Sequence, residues 1–319
     1  MTKHRGHLPQ LDGGLYLTDG GIETCLIFLE GLDLPHFAAF HLLQEQAGRE
    51  ALRRYFERYM RIAADDGHGF ILESPTWRAS SDWGEKLGYS RAALAAVNRD
   101  AILLMHELRD VSEGHGMPVV VSGCVGPRGD GYDPGQVMTA KESESYHAAQ
   151  IEVFAGAGAD MITAITMTNV NEAVGVARAA GQAGMPVAIS FTVETDGRLP
   201  TGDSLESAIS AVDAATGGAP AYYMINCAHP THFADRLESG GVSWMSRVRG
   251  VRANASRRSH AELNEAPDLD AGDPVELGGQ YRELLRRHPQ INVLGGCCGT
   301  DHRHVACISE ACKTLASSA

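Results

Sequence analysis

The stretch Gly156–Thr166, GAGADMITAIT, decides the fold class of this chain. Upstream of it, His147, Ile151 and Phe154 recur at the three- and four-residue spacing of a helix face, and the paired glycines that follow are typical of a helix end. Its second half, Ala159–Thr166, is a continuous run of mainly apolar and β-branched residues. Such a run is typical of a parallel strand covered on both faces. The stretch therefore predicts a helix that leads into a buried parallel strand.

The same pattern recurs along the whole chain. Seven further strands are predicted, near Leu15–Gly21, Gly69–Thr76, Pro118–Gly126, Pro186–Val193, Ala221–Ala228, Val248–Ser256 and Ile291–Gly299. Helical periodicity lies between them, as in the segment from Leu52 to Ile62. Eight strands alternating with helices predict an α/β fold, a (β/α)8 TIM barrel, in a single domain spanning residues 1–319. A doubly wound open sheet is the second choice, because the chain has no strand–GxGxxG–helix fingerprint and no phosphate-binding P-loop. The polar stretch Ala253–Gly279 is predicted as a long loop on the top face.

Composition restricts the partners of the chain. With 27 Lys and Arg against 40 Asp and Glu, the 319 residues carry a formal net charge of −13, which disfavours nucleic acids and anionic membranes. The N-terminus lacks the apolar core of a signal peptide, and no apolar run is long enough to span a bilayer. We expect a cytoplasmic protein that acts on small molecules; assembly into a homo-oligomer is left open.

Three cysteines stand where two strands end. Cys227 closes the sixth predicted strand, and Cys297 and Cys298 close the eighth. These strands are next-but-one neighbours in a closed barrel, so their ends can approach each other across the top. Three thiolates there form a soft site suited to Zn²⁺, with a fourth position open for substrate or water. The competing interpretation is that each cysteine is a small buried hydrophobic residue.

The other metal-capable residues are interpreted more simply. Cys25, Cys307 and Cys312 are assigned to structure, and Cys124 to the lining of the barrel mouth. His229 and His232 follow Cys227 closely in the sequence and could be metal ligands. For both, a position in a loop or a role supporting the ligands is preferred.

Four motifs carry a resemblance to a known family: Asp19-Gly20-Gly21 with Glu23-Thr24, Ser122–Pro127 with Gly129 and Tyr132, Ile225–Pro230, and Gly295–Thr300. Together they resemble the zinc-dependent homocysteine S-methyltransferases, which include betaine- and S-methylmethionine-using enzymes. The resemblance implies a barrel with zinc at its mouth, held by Cys227, Cys297 and Cys298. It also implies methyl transfer from a small sulfonium or quaternary ammonium donor to a thiol, with homocysteine giving methionine.

The chain departs from the family at the fourth strand. Ile165 occupies the position where the family has a Glu that holds the amino group of homocysteine. A different acid, Glu73, lies on the second predicted strand. One hypothesis is that Glu73 holds the amine while Arg78 pairs with a carboxylate. The alternative is that Glu73 and Arg78 neutralise each other as a buried pair. The loss of the family's Glu also leaves a related thiol open as the acceptor.

Further substrate contacts are predicted at the mouth, from Asp19, Gly20, Thr76, Trp77 and Asn226. The ring of Trp77 is suited to a methylated cation, although core packing also explains a barrel tryptophan. Two other functions are considered. A metal-dependent hydrolase on the same barrel is disfavoured by a ligand set made of cysteine alone, and a zinc-storing or thiol-sensing protein is disfavoured by cysteines placed where barrels hold substrates.

Overall fold

A computed structural model describes residues 2–112, 116–238, 241–266 and 268–316. Its eight parallel strands follow one another around a closed barrel, and the first strand pairs with the last. The strands are β1 Tyr16–Leu17, β2 Gly69–Glu73, β3 Val119–Val125, β4 Met161–Met167, β5 Val187–Thr192, β6 Tyr222–Asn226, β7 Val248–Ala253 and β8 Val293–Gly296. The fold is the single-domain (β/α)8 TIM barrel that the sequence predicts; the boundaries of the domain at residues 1 and 319 stay a prediction.

Helices surround this barrel. They are α1 Ile22–Thr24, α2 Gln46–Asp65, α3 Ser81–Lys86, α4 Arg91–Ser112, α5 Ala140–Ala157, α6 Val170–Gln182, α7 Leu205–Thr216, α8 Pro230–Glu238, α9 Val242–Met245, α10 His260–Asn264, α11 Pro274–Arg287 and α12 His302–Ala316. A π-helical segment lies at Cys25–Leu29, and 3₁₀ segments at Pro9–Leu11, Pro35–Phe37 and Ala39–Gln44. Among the described residues, none of the helices combines the length and the apolar character needed to cross a membrane.

The helix end predicted at the glycine pair is confirmed. Helix α5 ends at Ala157, and Gly158 takes the left-handed conformation, with φ of 92°. All seven residues of β4 are buried, and α6 packs against the strand. A left-handed residue closes the helix and turns the chain into the strand, and glycine adopts this conformation at little cost.

Two predicted segments differ from the structure. Strand β1 has two residues instead of the seven from Leu15 to Gly21, because the chain bends towards the end of β8 beyond Leu17. The amide of Gly21 donates to the carbonyl of Thr300 at 3.0 Å, not to a strand neighbour. The stretch Ala253–Gly279 is not a continuous loop, since α10 and the first turns of α11 lie within it.

The two ends of the barrel interior are filled differently. Near the N-terminal ends of the strands, a small apolar cluster fills the interior; its members include Tyr16, Ile71, Val120, Met161 and Tyr222. At the C-terminal ends the interior is polar and opens into a cavity. This is the end at which barrel enzymes place their reactive groups.

Candidate metal centre and substrate cavity

The sulfur atoms of Cys227, Cys297 and Cys298 lie within 4.8 Å of one another at the barrel mouth. In the part of the chain that the structure describes, this is the one group of three or more His, Cys, Asp or Glu side chains whose ligand atoms converge in this way. The group can hold a metal ion, and its donor set consists of sulfur alone. The juxtaposition predicted from the order of the strands is present.

Cys227 is fixed by its backbone. It follows β6 directly and has φ of 54°, a left-handed conformation that non-glycine residues adopt rarely. Its carbonyl oxygen accepts hydrogen bonds from Asn254 Nδ2 at 3.0 Å and from His260 Nε2 at 2.6 Å. Glu194 Oε1 lies 3.2 Å from the other ring nitrogen of His260. These contacts orient the left-handed residue so that its side chain points towards β8.

The second pair of cysteines lies on a tight loop after β8. Thr300 donates a hydrogen bond from its side chain to the carbonyl of Cys297 at 2.7 Å, and Gly299 has φ of 79°. The turn after β1 packs against this loop so closely that a Cβ at Gly20 would lie 2.8 Å from the carbonyl oxygen of Thr300. The glycine predicted to contact substrate therefore also has a packing role between β1 and β8.

In this structure Cys227 and Cys297 are joined as a disulfide, and Cys298 is a free thiol. The assignment of all three cysteines as ligands of one metal ion stays a prediction. Two sulfurs this close in a barrel mouth can bond covalently, and a disulfide sulfur carries no thiolate charge with which to bind a metal. All three sulfurs can ligate one ion only after reduction of the disulfide. The sulfur of Cys298 lies 3.8 Å from that of Cys227, and burial raises the pKa of the Cys298 thiol.

Tyr132 contacts the sulfur group directly, a role that its motif alone does not reveal. Its hydroxyl donates to Cys298 Sγ at 3.3 Å and lies 3.8 Å from Cys227 Sγ. The ring stacks on His260, with centroids 3.8 Å apart. The glycine-rich segment that carries Tyr132 was noticed in the sequence, but only the folded loop shows that the hydroxyl reaches two strands on the far side of the barrel.

A cavity of about 190 Å³ opens beside the sulfurs. Its lining combines ionisable side chains with an apolar wall that includes Pro75, Trp77 and Ile165. The predicted contacts Asp19, Gly20, Glu73, Trp77 and Arg78 also line it.

A buried arginine organises the acids of this cavity. Arg252, near the end of β7, donates to Asp19 Oδ1 at 2.6 Å and forms a short ion pair with Glu73. Its Nε donates to the carbonyl of Gly296 at 3.0 Å, and Tyr55 donates to the other oxygen of Asp19 at 2.9 Å. Burial raises the pKa of Glu73 to about 7 although Arg252 opposes the shift, and burial likewise raises the pKa of Asp19.

The predicted pairing of Glu73 with Arg78 is wrong. Arg78 bonds to Asp130 Oδ2 and to the carbonyl of Gly129, each at 3.0 Å. Its guanidinium lies between two indole rings, 4.2 Å from the centroid of Trp77 and 3.7 Å from that of Trp83. Glu73 instead pairs with Arg252 on β7, three strands away around the barrel. The spacing of residues in the sequence could not reveal that Arg252 is the partner of Glu73. The position of this arginine near the end of an apolar strand was the one indication that it faces the barrel mouth.

Two predicted substrate contacts lie behind the cavity wall. Thr76 is fully buried and donates to the carbonyl of Cys124 at 2.7 Å. Asn226 is also fully buried. Its Oδ1 accepts a hydrogen bond from the backbone amide of Thr166 at 2.9 Å, and its Nδ2 donates one to the side-chain hydroxyl of Thr166. Neither lines the cavity, because both side chains satisfy backbone groups near strand ends. Asn226 still lies near the sulfurs, with Nδ2 3.8 Å from Cys297 Sγ.

The ring of Trp77 is only partly available to a ligand. One face is covered by Arg78, and a Cβ at Gly126 would lie 2.6 Å from Cδ1 of the indole. The indole nitrogen donates to the carbonyl of Ile165 at 3.4 Å. Trp77 therefore contributes both to the packing of the mouth and to the lining of the cavity.

Comparison with known proteins agrees with this geometry. The family model described as homocysteine S-methyltransferase matches residues 16–312. The chain belongs to this family. Its relatives include homocysteine S-methyltransferase 4 from Zea mays, 26% identical over 94% of this chain and 90% of the relative. Selenocysteine Se-methyltransferase from Brassica oleracea is also 26% identical, over 90% of this chain and 86% of the relative.

The homocysteine S-methyltransferase fold is also found among solved structures. The homocysteine methyltransferase MmuM from Escherichia coli superposes in its oxidized form with a TM-score of 0.74 at 18% identity, covering 93% of this chain and 95% of that one. Its metallated form superposes with a TM-score of 0.72 at 19% identity, covering 95% of this chain and 98% of that one. At this level of identity the likeness establishes the fold.

Proposed function

We propose that this chain is a zinc-dependent S-methyltransferase that moves a methyl group from a small sulfonium or quaternary ammonium donor to homocysteine, giving methionine. The observation that carries the proposal is the convergence of Cys227, Cys297 and Cys298 within 4.8 Å beside a cavity, in a chain of the homocysteine S-methyltransferase family. Substrates of this kind imply small-molecule partners. A cytoplasmic location and the absence of nucleic acid and membrane partners stay predictions, and homo-oligomerisation stays open.

The residues present fit a zinc ion. Three cysteine sulfurs form the soft ligand set that zinc accepts, and a fourth position can remain for substrate. When bound there, zinc supplies the positive charge that keeps an acceptor thiol ionised near neutral pH while its sulfur stays nucleophilic. The all-sulfur set gives no support to the hydrolase alternative, whose chemistry favours histidine and carboxylate ligands.

The chain itself supplies position and charge. Displacement forms a bond between the acceptor sulfur and the methyl carbon and breaks the bond from that carbon to the onium centre, which leaves as a neutral sulfide or amine. Because the leaving group is neutral, no general acid is required. The apolar wall of Pro75, Trp77 and Ile165 excludes water, and alignment of the two substrates becomes the main requirement.

A related acceptor is the second candidate. The family relative named selenocysteine Se-methyltransferase acts, by its name, on a selenol. This chain has Ile165 on the cavity wall where the family carries the amine-binding Glu. These two observations support testing selenocysteine and other thiols beside homocysteine.

The test begins with reduced protein. After treatment with a phosphine reductant, we expect about one zinc ion per chain and formation of methionine from homocysteine with S-methylmethionine or betaine, read by mass spectrometry. Cys298→Ser should lose bound zinc and lower the rate at least ~1000-fold, because a hydroxyl is a poor substitute for a zinc-bound thiolate. The matched control is Cys307→Ser on α12, outside the cavity lining. Reduced, zinc-loaded protein that methylates no thiol or selenol would contradict the proposal.

A further inference from the structure

The charged side chains of the cavity are nearly all paired. Asp19 and Glu73 share Arg252, and Arg78 is bound to Asp130. The exception is Glu23, which lines the same cavity. Within the described part of the chain, no other residue forms a hydrogen bond or ion pair with its carboxylate.

Glu23 is held beside the sulfur group. It lies in α1, between two residues that are tied to the cysteine loop. The amide of Gly21 donates to the carbonyl of Thr300 at 3.0 Å, and the side chain of Thr24 accepts from the amide of Gly299 at 3.2 Å. These contacts fix α1 against the loop that carries Cys298. Glu23 and Cys298 line the same cavity.

Among the described residues, no cationic side chain forms an ion pair with the Glu23 carboxylate, which leaves it available to a cationic group of a ligand. Burial raises the pKa of Glu23 to about 7 and the charge of Asp19 adds to the shift, whereas its own backbone amide and the charges of Arg78 and Arg252 oppose it. A hydrogen-bonded cation compensates for lost hydration, as in other charge-assisted pairs. A primary ammonium offers three N–H donors for this purpose. A sulfonium or quaternary ammonium centre has none and is better accommodated by aromatic and apolar surfaces.

We propose that Glu23 binds the ammonium group of the amino-acid acceptor and so selects an amino-acid thiol over a simple thiol. This inference rests on the proposed function. It gives Glu23 the part first suggested for Glu73, whose carboxylate is engaged by Arg252. The apolar side chain of Ile165 supplies no carboxylate to the cavity wall.

The experiment compares two acceptors that differ only in the ammonium group: homocysteine and 4-mercaptobutanoate. Reduced, zinc-loaded wild-type enzyme should prefer homocysteine in kcat/KM. Glu23→Gln should lower this preference by about 10- to 100-fold, mainly through KM for homocysteine, because the ion pair is lost while the shape of the side chain is kept. Glu23→Asp, which retains the charge on a shorter side chain, should keep part of the preference.

The matched control is Glu73→Gln. Its side chain is buried against Arg252, so the change should affect the two acceptors equally. The inference is overturned if Glu23→Gln retains the wild-type preference, or if its effect falls on KM for the methyl donor alone. It is also overturned if Glu73→Gln, and not Glu23→Gln, abolishes the preference. Wild-type enzyme that methylates neither acceptor, nor any other thiol, would instead count against the proposed function.

Discussion

Two residues of strand β2, Ile71 in its middle and Glu73 at its end, have opposite surroundings although only one residue lies between them. Ile71 lies in the apolar cluster at the bottom of the barrel, whereas Glu73 lies at the mouth in a buried ion pair with Arg252. Both side chains are almost completely buried. The bottom is stabilised by removing apolar surface from water. The mouth holds buried charges whose desolvation opposes folding unless each has a partner.

This comparison separates stability from function within one barrel interior. The apolar bottom fixes the strands in register, and the charged mouth arranges groups for a ligand. Arg252 joins the two roles, because it ties β7 to the ends of β1, β2 and β8 through Asp19, Glu73 and the carbonyl of Gly296.

The largest loss of stability is expected from Arg252→Met. Removing the guanidinium leaves Asp19 and Glu73 buried beside each other without a cation, which should lower the free energy of unfolding by about 3–5 kcal/mol. Urea denaturation near neutral pH measures the loss. Adding Glu73→Gln should restore part of it, because one of the two unpaired charges is removed. A double variant no more stable than Arg252→Met would show that the charge at Glu73 is not the cause.

A comparable or smaller loss is expected at the bottom of the same strand. Ile71→Ala removes buried methyl groups from the apolar cluster and should lower the free energy of unfolding by about 2–5 kcal/mol. The KM values for both substrates should stay at the wild-type level, since Ile71 does not line the cavity. Denaturation and steady-state kinetics on the same preparation test both parts. A large change in KM would mean that the two ends of the barrel are not independent.

The smallest effect is expected from Glu23→Gln and depends on pH. The pKa of Glu23 is raised from 4.5 to about 7, so the folded protein binds more protons at this site than the unfolded chain between these values. The contribution of Glu23 to stability is therefore present below pH 4.5 and is lost as the pH rises through 7. As the pH rises from 4.5 to 8, the free energy of unfolding of Glu23→Gln should increase by about 1–3 kcal/mol relative to that of the wild type. Denaturation across this range measures the difference, and a difference that is constant with pH would contradict the raised pKa.

Much of the site could be predicted from the sequence. Cys227, Cys297 and Cys298 stand at strand ends, and the order of the strands alone brings those ends together. The ion pairs could not be predicted in the same way. Arg252 is 179 residues from Glu73 in the chain, whereas the sequence offers the nearby Arg78 as one of two open possibilities, either as the partner of Glu73 or as a contact to a substrate carboxylate.

Strand periodicity, glycine-marked helix ends and the cysteine motifs determined the barrel and the convergence of the sulfurs, because these are local patterns whose consequence follows from topology. Only the tertiary structure decided which carboxylates at the mouth are paired, that Cys227 and Cys297 are joined, and that Glu23 lines the cavity with no ion-pair partner among the described residues. Charge pairing inside a barrel depends on distances of a few ångströms across the closed sheet. Those distances are set by the packing of all eight strands together and by no single stretch of the chain.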